Sequence, residues 1–146
     1  MKKYIAGTLF LLLALSTNLF AQCNETLVHT CALGMGDNTT YLKDFKVELK
    51  KGEKNQAPPM ARFSVILNKG EKYRFGICNS TEFPGEAVLQ VYDYDRLLAS
   101  SFDSATGADF HRFDFLCRKS AVYQVFISFK KGQEGCAVGV LYLVKE

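Results

Sequence analysis

The chain has 146 residues, 48% of them hydrophobic, with 18 Lys/Arg against 15 Asp/Glu and only two His. Lys2 and Lys3 belong to an N-terminal targeting pattern, and without them 16 basic residues face 15 acidic ones, a net charge of +1. That balance, with no clustered basic stripe, argues against a nucleic-acid partner, and the length suits one domain with its own core.

Lys2-Lys3, the apolar run Ile5 to Leu15, the polar Ser16-Thr17-Asn18 and the small Ala21 before Gln22 form the layout of a secretory signal peptide. The apolar run falls short of the roughly 20 residues of a spanning helix, so no membrane span is expected. Residues 1–21 are read as the signal, 22–40 as a lead-in and 41–146 as the working domain. The protein is expected to be exported, to the periplasm or beyond. A lipid anchor at Cys23 would need a small residue before it, and Gln22 fits poorly.

In the lead-in, Leu27, Val28, Cys31 and Ala32 can share one side of a helical turn or two, and Gly34 to Asn38 breaks it. From Tyr41 the apolar period becomes two. Phe45, Val47 and Leu49 alternate with charged residues, and Pro58-Pro59 closes the polar loop that follows. Phe63, Val65 and Leu67, then Asn68-Lys69-Gly70-Glu71, then Tyr73, Phe75 and Ile77 read as a hairpin. Further strands are expected over 88–92, 97–102, 113–117, 123–129 and 136–144. The expected fold is all-β, an antiparallel jelly-roll-like sandwich of about eight strands. The Lys50-Lys51-Gly52-Glu53-Lys54 run reads as a solvated turn.

All five cysteines, 23, 31, 78, 117 and 136, follow the signal, so disulfides are permissible and one thiol is left over in a monomer. If successive strands simply reverse, Cys78 and Cys136 share one end of the sandwich, and Cys117 lies about 25 Å away at 3.3 Å per residue. A bridge needs α-carbons within about 7 Å. Cys78–Cys136 is therefore allowed, Cys23–Cys31 could close a small loop, and Cys117 is left as a buried thiol beside Phe113 and Phe115.

Three stretches resemble the bacterial pre-peptidase C-terminal domain. They are Leu67 to Phe75, a turn into a Tyr/Phe strand; Val88 to Asp93 with Leu97-Leu98-Ala99-Ser100, an apolar–Tyr–Asp hairpin; and Tyr123 to Ile127, although Ser120-Ala121-Val122 stand where that family has a Gly. The resemblance implies a sandwich domain that is not itself catalytic. The chain also resembles small exported Bacteroidetes proteins of unknown role.

No catalytic set emerges. His29 and Cys31 are too close in sequence to face one another, and His111 and Asp114 would lie on opposite faces of a strand. No Gly-x-Ser-x-Gly, His-Glu-x-x-His or phosphate loop is present. Asp93, Asp95, Asp103 and Asp109 are explained by turn chemistry without calcium, and no metal or cofactor is expected. Asp103-Ser104-Ala105 resembles an O-glycosylation acceptor at Ser104. Phe83, Tyr92 and Tyr94 sit at or near loops and are the candidate contact residues. Taken together, these features predict a non-enzymatic module that mediates protein interaction or assembly at the cell envelope. Its partner would be an envelope protein or a surface glycan. A carbohydrate-binding module is the alternative, and an uncharacterised hydrolase is third.

Overall fold

A computed structural model describes residues 25–146. The expected signal peptide and Cys23 lie outside the described residues. Helix α1 (Glu25–Leu33) is followed by β1 (Thr39–Leu49), β2 (Met60–Leu67), β3 (Lys72–Asn79), β4 (Ala87–Asp93) and β5 (Arg96–Ser100). After the two-residue strands β6 (Phe102–Asp103) and β7 (Ala108–Asp109) come β8 (Arg112–Leu116), β9 (Ala121–Phe129), a 3-10 turn and β10 (Gly135–Val144).

Two four-stranded sheets form, ordered β1-β10-β3-β8 and β2-β9-β4-β5, with every pairing antiparallel. Early and late strands interleave, which is the jelly-roll arrangement. Alternation places Phe45, Leu67, Phe75, Leu89, Val91, Val125 and Ile127 between the sheets with essentially no exposure. In the middle of β10, Gly139 admits the tips of Ile127, Leu89 and Phe45, because a Cβ there would lie 3.0–3.1 Å from all three.

The hairpin expected over 63–77 is not one. β2 pairs with β9 and β3 with β10 and β8, so the link at Asn68 to Glu71 crosses from one sheet to the other. Two inward-facing alternations read the same whether they share a sheet or face each other across the core. Long-range contacts decide the matter. Gly70, at φ +89°, donates its N–H to Cys117 O at 2.8 Å, and the Cys117 N–H returns to Glu71 O at 2.9 Å. The crossing is thus laced to the corresponding corner between β8 and β9.

Helix α1 is nine residues long, too short to persist alone in water. It lies on the outer face of the first sheet. There Cys31 and Met35 pack with Val138, Val140 and Tyr142, flanked by Leu27, Val28 and Cys78. Arg74 donates to Met35 O at 2.8 Å and Arg112 to Gly34 O at 2.9 Å, so two cations take carbonyls just beyond the helix C-terminus. Arg74 also grips Asp114 with two bonds, at 2.6 and 2.9 Å.

The cysteine pairing differs from the expectation. Cys31 bonds to Cys78, with α-carbons 5.7 Å apart, so neither Cys78–Cys136 nor Cys23–Cys31 forms. Cys78 and Cys136 do share an end and a face, as strand reversal implied. Register separates them, since Cys78 stands opposite Val138. The helix folds back over this face and brings Cys31 onto Cys78. Cys136 is likewise engaged in a disulfide. Cys117 is a free, buried thiol packed in the main core with Phe113 and Phe115 against it.

Candidate functional site

The two sheets differ in what covers them. The outer face of the β1-β10-β3-β8 sheet lies under α1. Among the described residues no helix covers the outer face of the β2-β9-β4-β5 sheet, which carries large apolar side chains in the open: Met60 is 54% exposed, Ile66 76%, Val122 53% and Leu97 46%. Isolated exposed hydrophobics are ordinary, and these four share one face of the sheet.

At its centre Phe126 from β9 meets Tyr92 from β4 edge to face, ring centroids 5.2 Å apart at 84°. The Arg62 guanidinium lies 5.6 Å from the Phe126 centroid, and its Nε donates to Gln124 Oε1 at 2.9 Å. Met60, Gln90, Tyr92, Tyr94, Asp95 and Phe126 line a shallow groove of about 290 Å³.

Tyr94 stands at the apex of the β4–β5 hairpin. It is 87% exposed and its φ is +55°. For a bulky residue this left-handed conformation is an outlier, because Cβ crowds the following carbonyl. The turn around it is anchored. Asp93 Oδ2 lies 3.3 Å from Lys119 Nζ and 3.6 Å from Arg96 Nη2, tying the hairpin to the β8–β9 corner. Asp93 Oδ1 is buried and has no hydrogen-bond partner among the described residues. Beneath that corner the Tyr123 hydroxyl donates to Lys119 O at 2.6 Å. Burial, and then its bond with Cys117, push the Tyr123 pKa up to about 12. An exposed aromatic in a strained backbone on a braced turn has the features of a presented contact residue.

Of the three candidate contact residues, the structure brings Tyr92 and Tyr94 together and leaves Phe83 apart. Phe83 is half-buried in the β3–β4 loop, at the start of β4, whereas Tyr92 and Tyr94 lie at its far end. The length of β4 thus separates Phe83 from the other two. Phe126 and Met60 join the site although the sequence reading does not single them out. Phe126 carries a signal all the same, as an aromatic on the outward parity of β9 between inward Val125 and Ile127.

Ser104 is exposed in the β6–β7 turn, where Asp103 Oδ1 accepts the Ala105 N–H at 2.9 Å. That bond, with further ones from Thr106, lowers the Asp103 pKa. His111 lines a cleft of about 300 Å³ with Asn79, Glu86, Asp109 and Phe110. Lys130 bridges Glu86 and Asp109 at 2.9 and 2.7 Å and lies 4.3 Å from the Phe102 ring centroid. Asp114 is engaged by Arg74, and His29 lies exposed on α1. Among the described residues no group of three or more His, Cys, Asp or Glu is placed to hold a metal, and no helix is long and apolar enough to cross a membrane.

No protein-family model and no curated protein sequence matches the chain. Among solved structures it is similar to Aeromonas hydrophila PliG, a periplasmic lysozyme inhibitor of g-type lysozyme, with a TM-score of 0.51 at 8% identity. The match covers 74% of this chain and 88% of that one. At such identity the likeness is one of fold.

Proposed function

We propose that this chain is an exported, non-catalytic module that docks a protein of the bacterial envelope through the Tyr94 hairpin and the adjoining open sheet face. One observation carries the reading: Tyr94 is held in a left-handed backbone and projected into solvent at 87% exposure. Tyr is a favoured anchor of protein interfaces, supplying much contact area for few rotatable bonds. The Cys31–Cys78 disulfide suits an oxidising compartment. The resemblance to pre-peptidase C-terminal domains agrees with a non-catalytic role. PliG, a protein of similar fold, is a lysozyme inhibitor, and this favours a partner among enzymes that cleave the cell wall.

A glycan ligand is the competing reading. A flat sugar face calls for a level aromatic platform, and the perpendicular rings of Tyr92 and Phe126 do not form one. The deciding experiment places a photo-crosslinking side chain at position 94 in the exported protein, with position 83 as control. A defined protein adduct from 94 and none from 83 supports the proposal. No adduct from 94, with polysaccharide retention lost in Tyr92→Ala, replaces it with the glycan reading. Assaying g-type lysozyme with the purified protein tests the inhibitor reading separately.

A further inference from the structure

Of the five cysteines, Cys31 and Cys78 are bonded to each other and Cys117 is a free thiol. Cys136 is also disulfide-bonded, and at 0% exposure it is closed to a thiol from a second chain. Within the chain, Cys23 alone remains to partner it.

The packing of α1 points to the same pair independently. On β10, Ala137 and Leu141 face the core, whereas Val138, Val140 and Tyr142 face α1. Cys136 has the parity of the second set and so lies on the outer face. It stands opposite Glu48 of β1, and Val138 stands opposite Lys46. Lys46 in turn pairs with Glu25, the first residue of α1. On its other flank, Cys136 O accepts the Ser80 N–H at 2.8 Å, and Ser80 shares a shallow cleft with Thr26 and Leu27. The first turn of α1 therefore sits over the Cys136 end of β10. Cys23 precedes Glu25 by two positions, a span of at most about 7 Å, and a bridge needs α-carbons within about 7 Å.

We infer that Cys23 and Cys136 form a second disulfide, which fastens the chain ahead of α1 to β10. Each thiol loses a proton, and the pair gives two electrons to a protein disulfide of the oxidising compartment, which is reduced to a dithiol as the new S–S bond forms. A lipid anchor would be a thioether on the same Cys23 sulfur, so the bridge and the anchor exclude one another. With Cys31 in its last turn already bonded to Cys78, α1 is then pinned at both ends over the first sheet. None of this depends on what Tyr94 binds.

Peptide mapping of the whole exported chain, alkylated and digested without reductant, tests the pairing. Cleavage after Glu puts each cysteine of interest on its own peptide: Cys23 ends with Glu25, Cys31 falls in 26–48, Cys78 in 72–82 and Cys136 in 135–146. The expected result is the Glu25 peptide joined to 135–146, from a chain of monomer mass, with one free thiol titrating in guanidinium. In Cys23→Ser the denatured chain should titrate two. An alkylated Cys136, a 135–146 peptide joined to any other cysteine or to a second chain, or a diacylglycerol mass on the Cys23 peptide overturns the inference. The wild-type map decides even where the variant fails to fold.

Discussion

Replacing Tyr94 by Gly should stabilise the fold while weakening its proposed binding. The ring is 87% exposed, so its removal forfeits almost no burial. The backbone at φ +55° gains instead. A non-glycine residue in the left-handed region costs about 1–2 kcal/mol, and the greater freedom of unfolded glycine returns about 0.5–1 kcal/mol. The net gain is about 0.5–1 kcal/mol, which for a domain of this size raises the melting temperature by roughly 2–5 °C. Thermal unfolding followed by circular dichroism reads this directly. Loss of an anchor aromatic should weaken partner binding by roughly 30-fold, equivalent to a hot spot of about 2 kcal/mol. Higher stability with lost binding cannot be attributed to misfolding. A fall in melting temperature would refute the strain reasoning, and unchanged affinity for the partner crosslinked at position 94 would refute the anchor.

Removing the Cys31–Cys78 bridge as a double Cys→Ser variant opens a link 47 residues apart in sequence. Chain-entropy reasoning puts the loss at about 4 kcal/mol, measurable by denaturant unfolding, and amide exchange should show α1 losing protection first. Asp114 has its pKa lowered by its bonds with Arg74. Its contribution is complete above the unfolded carboxylate range and vanishes as pH falls through the lowered folded value. The stability gap between wild type and Asp114→Asn should therefore close in acid, and a gap constant with pH would deny the linkage. Gly135→Ala would place a methyl group on the buried Phe129 ring, an overpacking worth about 1–3 kcal/mol. Gly76→Ala mainly displaces the flexible Met35 side chain and should cost less. The Cys117 thiol, 1% exposed, should ignore aromatic disulfide reagents in the native protein and react in guanidinium.

Strand positions and their inward residues are legible in the sequence, because period-two alternation is a local property that burial on one face imposes. Phe45, Val65, Leu67, Phe75, Val125 and Ile127 are core in the structure as the alternation requires. The same locality makes Gly34 to Asn38 readable as the end of a helix. Which strand pairs with which is another matter. The link at Asn68 to Glu71 has hairpin chemistry yet bridges two sheets, since an apolar face is satisfied equally by a neighbour beside it or a layer above it. The cysteine pairing is hidden for the same reason: α1 has to dock before Cys31 can reach Cys78, and no spacing encodes that docking. Tyr92 and Tyr94 can be chosen from their turn, but the partnership of Tyr92 with Phe126 exists only once β9 lies beside β4. Local pattern determined what each segment is. Long-range packing, which sums contacts between residues far apart in the chain, decided where each segment sits and therefore which side chains can act together.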